Sequence, residues 1–216
     1  MGRTESFEFD GPAGRLEAIL MWPDEPPEAA AVVCHAHPLH GGIMHFKPVF
    51  RAAKALQLAR VAALRFNFRG VGRSEGRHDE GRGEQDDVRA ALEELARRAG
   101  DLPLLVGGFS FGSVMALRVA AREARVRAVF ALGFPAAMVR DLDFLREVRA
   151  CRLFVQGEHD EFAPAARIRE LVELLPQPHR LVIVPASDHY FAGKLDVLQS
   201  AVQSWASERP WAECPA

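Results

Sequence analysis

The stretch that decides the fold is Leu102-Pro103-Leu104-Leu105-Val106-Gly107-Gly108-Phe109-Ser110-Phe111-Gly112. An apolar run enters G-x-S-x-G and leaves it in the pattern of a helix, Phe111 to Glu123. That order is the signature of a nucleophile elbow. The backbone turns so sharply there that the serine is forced into a strained conformation, its hydroxyl lifted clear of the sheet. Residues two positions either side crowd the turn, which is why small ones stand at Gly108 and Gly112.

Outward from this turn, short apolar runs alternate with helical patterns. Strands are expected at 30–34, 61–68, 102–107, 126–132, 151–156 and 180–184. Helices are expected at 48–58, 84–98, 111–123, 164–175 and 192–207, with Val88, Leu92 and Leu95 on one stripe of the second. Residues 6–10 and 16–22 form an antiparallel pair about Gly11-Pro12-Ala13-Gly14. Strands alternating with helices require a mostly parallel sheet covered on both faces, hence an α/β class, three-layer α/β/α sandwich. There is no internal repeat and no composition break, so residues 1–216 read as a single domain.

Bulk properties narrow the function. The 216 residues are 49% hydrophobic and 26% charged, with a formal net charge of -2. Acids and bases are interspersed, so nucleic acid and anionic membrane surfaces are not expected partners. No apolar run reaches membrane-spanning length, and the N-terminus has no leader-like apolar run. It does match the M-G-x-x-x-S acylation pattern at Met1-Gly2 and Ser6, without a supporting basic patch. Cys34, Cys151 and Cys214 are too few and scattered for a disulfide framework. Cys34 and Cys151 read as small buried residues, which fits a reducing, cytoplasmic compartment.

In a parallel sheet, function gathers at the C-terminal ends of the strands. Strand 102–107 delivers Ser110. Strand 151–156 runs into Gly157-Glu158-His159-Asp160, delivering Asp160, and strand 180–184 runs into Ser187-Asp188-His189, delivering His189. A serine hydroxyl is a weak nucleophile until an imidazole takes its proton, and that imidazole needs a carboxylate to hold its tautomer. Ser110, His189 and Asp160 fit those roles, with Glu158, Glu161 and Asp188 as competing carboxylates. Acyl transfer also needs donors for an oxyanion. The candidates are the backbone N–H of Phe111 and that of His37, in the loop Cys34-His35-Ala36-His37-Pro38-Leu39-His40-Gly41-Gly42, where the His35 ring serves as a brace.

Together, His35-Ala36-His37-Pro38 with Gly41-Gly42, the run from Arg65 to Ser74, the elbow, Gly157-Glu158-His159-Asp160 and Asp188-His189 span most of the chain. In these motifs the chain resembles the α/β-hydrolase superfamily, and within it the small lidless bacterial proteins related to dienelactone hydrolase. The resemblance implies a mostly parallel eight-stranded sheet, a Ser-Asp-His triad, no cofactor and no metal. Dienelactone hydrolases carry cysteine as nucleophile, so Ser110 argues against that substrate class. Ala36 departs from the glycine usual in the oxyanion loop. Residues 133–150 are too few for a cap domain, leaving an open site for a small-molecule acyl substrate, with Phe134, Met138, Phe144, Tyr190 and Phe191 as candidate walls. Oligomeric state stays open, a homodimer included.

Three other readings compete. His35-x-His37, with His40 and His45 behind, has the look of a metal hydrolase, but Leu39 stands where binuclear sites carry an aspartate. Gly70-x-Gly72 follows a strand as in a dinucleotide fold, but Gly76 falls one residue late and the next helix starts far beyond it. A non-catalytic binding protein on a hydrolase fold is the third, since fold does not dictate function.

Overall fold

A computed structural model of the chain describes residues 2–214; Met1 and the last two residues of the expected 1–216 domain lie outside the described residues. The chain runs β1 (Thr4–Gly11), β2 (Gly14–Met21), β3 (Ala29–Cys34), α1 (Lys47–Leu58), β4 (Val61–Phe66), α2 (Arg82–Ala99), β5 (Leu104–Phe109) and α3 (Phe111–Ala120). It continues with β6 (Val126–Leu132), α4 (Phe144–Glu147), β7 (Cys151–Gly157), α5 (Ala165–Glu173), β8 (His179–Val184) and α6 (Leu195–Ser207). One eight-stranded sheet has the order β1-β2-β4-β3-β5-β6-β7-β8. The β1–β2 hairpin joins β4 antiparallel, and every pairing from β4 to β8 is parallel.

Period-two alternation along each strand sends side chains to two separate cores. Val32, Val106 and Phe154 pack with Val88, Leu92 and Leu95 of α2, Val114 and Leu117 of α3, and Ile168 of α5. Val33, Leu105, Phe130 and Leu153 face the other way, onto Val49, Ala53 and Leu56 of α1 and Leu198, Val202 and Trp205 of α6. The strand order reverses between β3 and β5. The chain leaving β3 therefore turns to α1 on one face and the chain leaving β5 to α3 on the other, the arrangement that in open α/β sheets places a site at these C-terminal strand ends.

Differences from the sequence reading have local causes. β5 begins at Leu104 because Pro103, lacking an N–H, can only accept, which it does from Ala30 N–H at 2.9 Å. β4 ends at Phe66 because the Phe68 N–H is diverted to His35 Nε2 at 3.0 Å. The segment expected to be irregular holds a 3₁₀ turn, Ala136–Met138, and the four-residue α4. Cys34 is free and buried as expected, but Cys151 is not a lone core residue: it is disulfide-bonded to Cys214, with Cα atoms 5.8 Å apart. The final 3₁₀ turn, Pro210–Ala212, brings Cys214 back under β7, a return that 63 residues of separation conceal in the sequence. This pairing removes the cysteine argument for a reducing compartment. No helix among the described residues is long and apolar enough to cross a membrane.

Candidate active site

Ser110 sits between β5 and α3 at φ 54° and ψ -119°, a backbone region that side chains seldom occupy. Sterics around it explain the flanking glycines. A Cβ on Gly108 would lie 2.6 Å from the Cys34 carbonyl oxygen, and one on Gly112 would lie 2.5 Å from both the Cys34 and the His35 carbonyl oxygens. The strain is held by hydrogen bonds on either side. Ser110 N–H donates to Leu132 O at 2.9 Å, and Ser113 Oγ–H donates to Ser110 O at 2.6 Å.

The structure brings Ser110, His189 and Asp160 together from three loops. His189 Nε2 is 3.0 Å from Ser110 Oγ, and His189 Nδ1 is 2.7 Å from Asp160 Oδ2. His189 is 2% exposed and Asp160 0%, so the bond between them is shielded from water, while the Ser110 end of the run is half-buried and open to a substrate. Asp160 Oδ1 accepts from Phe162 N–H at 2.9 Å and Ala163 N–H at 3.3 Å. Oδ2 also accepts from Gln156 Nε2 at 2.7 Å. A carboxylate that accepts everywhere leaves Nδ1 as a donor, so the Nε2 lone pair faces the serine hydroxyl. The competing carboxylates are engaged elsewhere or exposed: Glu158 accepts from Ala186 N–H, Asp188 from Ala192 N–H, and Glu161 points to solvent. Behind the imidazole stands Gly133, at φ 55°; a Cβ there would lie 3.2 Å from His189 Cε1.

The loop after β3 is pinned from beneath. His35 is buried, its Nδ1–H donates to Ala36 O at 2.7 Å, and its Nε2 accepts from Phe68 N–H. Burial pushes its pKa down to about 4, so it stays neutral at ordinary pH. Both ring nitrogens are thus used within the protein, and His35 has none left to pair with His37 on a metal. Among the described residues, no group of three or more histidines, cysteines or acids is arranged to hold a metal ion. The His37 ring stacks on His40 at 4.4 Å and lies 5.0 Å from Phe111; desolvation, then the neighbouring His40 and His78, lower its pKa. Gly42 closes the loop, since a Cβ there would sit 2.1 Å from Ala36 O. Among the described residues, neither the His37 nor the Phe111 backbone N–H has a protein acceptor.

The Arg65 to Ser74 run is scaffolding rather than a phosphate loop. Arg65 donates to Met44 O at 2.7 Å, Asn67 joins Met44 N–H to Glu17, and Arg69 pairs with the buried Asp87 at 2.7 Å. Gly72 is required because a Cβ would meet Asn67 Nδ2 at 2.5 Å.

Three of the wall residues need correction. Phe134 and Phe191 are 0% exposed: Phe134 packs on Phe154 in one core and Phe191 on Phe109 in the other. Phe144 lies under the Arg118 guanidinium at the far end of α3, away from the elbow. Met138 is exposed, at the end of the 3₁₀ turn whose Ala137 N–H donates to Phe162 O at 3.1 Å. Tyr190 flanks the site, its half-exposed ring 5.2 Å from His189. Two flanking rings escaped the sequence reading. Phe162 stacks edge-on to His189 at 4.6 Å, and Phe46 reaches Tyr190 at 6.3 Å. Phe162 was findable, lying two residues past Asp160 in the same tight turn; Phe46 carried no local signal.

Comparison with known proteins agrees with this fold. A lidless α/β serine hydrolase of Xanthomonas campestris is 34% identical, with a TM-score of 0.88 over 99% of this chain and 96% of that one. An α-β serine hydrolase homologue from Coxiella burnetii is 32% identical, with a TM-score of 0.87 over 93% of this chain and 96% of that one. An uncharacterised protein of Rickettsia prowazekii (strain Madrid E) is 33% identical over 205 residues, 91% of this chain and 86% of its own. The family described as an alpha/beta hydrolase domain matches residues 29–208, and with the sheet order, the elbow and these relatives that match means the chain belongs to the α/β-hydrolase family.

Proposed function

We propose that the protein is a serine hydrolase that cleaves small carboxylic esters or thioesters through an acyl-enzyme. The observation that carries this reading is the unbroken run of hydrogen bonds from Ser110 Oγ to His189 to buried Asp160. In the proposed reaction Ser110 Oγ attacks the acyl carbon as its proton passes to His189 Nε2. The carbonyl oxygen becomes an oxyanion, and the acceptor-free N–H groups of His37 and Phe111 are the donors assigned to it. Asp160 stabilises the imidazolium without taking its proton. The leaving alkoxide or thiolate departs with the proton from His189. Water then repeats the sequence, giving its proton to His189 and releasing the carboxylic acid as Ser110 regains its hydrogen.

The short 133–150 connection, with Phe162 and Tyr190 against His189 and Phe46 beside Tyr190, favours compact acyl groups over long lipid chains. The test combines a fluorophosphonate probe, which reacts only with an activated serine, with a panel of p-nitrophenyl acyl esters. Wild type should label and turn over short-chain esters, and Ser110→Ala should do neither. A non-catalytic binding protein would leave the probe untouched.

A further inference from the structure

Gln156 is a polar side chain with 0% exposure at the end of β7, on the face whose neighbour Phe154 belongs to the α2–α3 core. Nothing in packing calls for an amide here; an apolar residue of the same shape fills such a position without needing partners. Yet every hydrogen-bonding group of this amide is used. Oε1 accepts from Phe134 N–H at 2.9 Å, while Nε2 donates to Asp160 Oδ2 at 2.7 Å and to Ala163 O at 3.1 Å. Its orientation is set by its partners. Reversing it would face Nε2 against the Phe134 N–H and Oε1 against both Asp160 and the Ala163 carbonyl.

The amide therefore does two things for His189. It occupies one side of Asp160 Oδ2 with a group that can only donate, leaving the other side for Nδ1–H. Phe162 and Ala163 N–H hold Oδ1, so the carboxylate cannot rotate away. It also ties the backbone at Phe134 to the acid turn, next to Gly133, which backs the imidazole. Among the described residues, the groups hydrogen-bonded to the His189 ring or packed on it are Ser110, Asp160, Phe109, Gly133, Phe162 and Tyr190. Asp160 is the sole carboxylate among them, and Tyr190 the one other ionisable ring.

We propose that Gln156 is a positioning residue of this site, its buried amide fixing the Asp160 carboxylate in the orientation and charge state that His189 requires. The proposal rests on the serine-hydrolase reading. Its action runs through Asp160, so it should alter turnover rather than substrate affinity.

The test compares wild type, Gln156→Met, Gln156→Glu and Val155→Ala, the last being a core truncation on the opposite face of β7. For each, kcat and KM are measured against pH on a short-chain p-nitrophenyl ester, with probe labelling rate and thermal midpoint alongside. Gln156→Met keeps the shape and removes the donor. Its kcat should fall roughly 10- to 100-fold, the range typical when a partner that orients a functional side chain is lost, with KM within about twofold. The pH midpoint of kcat/KM should rise, because a carboxylate with one donor fewer attracts the imidazolium more strongly. Gln156→Glu can donate only while protonated, so its profile should gain an alkaline decline that wild type lacks. It serves equally if the methionine variant does not fold. Val155→Ala should lower the thermal midpoint and leave the pH midpoint in place. Wild-type pH profiles in both Gln156 variants, or rate losses no larger than those of Val155→Ala, overturn the proposal. A wild type that ignores the probe overturns the hydrolase reading beneath it, a distinguishable failure.

Discussion

Asp160→Asn tests the chemistry with almost no change of shape, and the site geometry fixes what it should do. Asp160 receives four donors: Phe162 and Ala163 N–H on Oδ1, Gln156 Nε2 and His189 Nδ1 on Oδ2. A carboxamide must turn its NH₂ toward one pair. Toward the backbone pair it orphans two buried donors, at about 1–3 kcal/mol each. Toward the other pair it orphans only the Gln156 donor, because an imidazole can change tautomer and accept at Nδ1. The second arrangement is lower by about one such penalty, and it is the unproductive one, since Nε2 then carries a hydrogen toward Ser110 and cannot accept another. Loss of the correct tautomer costs about 10⁴ in kcat in serine hydrolysis generally, or about 5 kcal/mol of transition-state stabilisation. Folding should suffer less: one orphaned donor, about 2 kcal/mol, lowers the melting midpoint by roughly 4–8 °C in a chain of this size. The assay is kcat on a p-nitrophenyl ester beside a melting curve. A variant that melts as expected yet keeps more than a tenth of wild-type kcat refutes the reasoning, and another acid or none holds the histidine.

Gly133→Ala places a methyl 3.2 Å from His189 Cε1 on a backbone at φ 55°; it should cost about 1–2 kcal/mol of stability and roughly 10- to 100-fold in kcat, readable from urea unfolding and ester turnover, and an active variant with unchanged kcat would show that the ring has room to move. His35 bears on stability against pH. Its folded pKa of about 4 lies below its unfolded value, so the folded state binds fewer protons; stability is complete above about pH 6.5 and is lost as pH falls toward 4, by about 3 kcal/mol in all. Urea unfolding at pH 4.5 and 7.5 should show this loss in wild type and a flatter response in His35→Gln; equal slopes would mean that other groups carry it.

Much of the candidate site was legible because its chemistry is local. Gly108-x-Ser110-x-Gly112 declares a turn by the space its glycines leave, and the loops carrying Asp160 and His189 follow strands recognisable from their apolar runs alone. The walls were not legible. Phe134 and Phe191 look no different in sequence from Phe162, yet the first two fill the cores and the third meets the imidazole. Gln156 passed as a strand residue, because only its partners show that it holds the acid.

By itself, then, the sequence determined the layers, the elbow and the order in which serine, acid and histidine leave the sheet, since period-two and helical patterns fix which face each residue presents. Tertiary structure alone decided that β1 and β2 extend the sheet beyond β4 and that Cys151 meets Cys214, and it is what brings Asp160, the acid already singled out at the end of its strand, against His189. The physical reason is the same in each case. Local pattern reports the environment a side chain prefers, whereas a pairing across 63 or 29 residues is set by how whole elements pack, and no short stretch of chain encodes it.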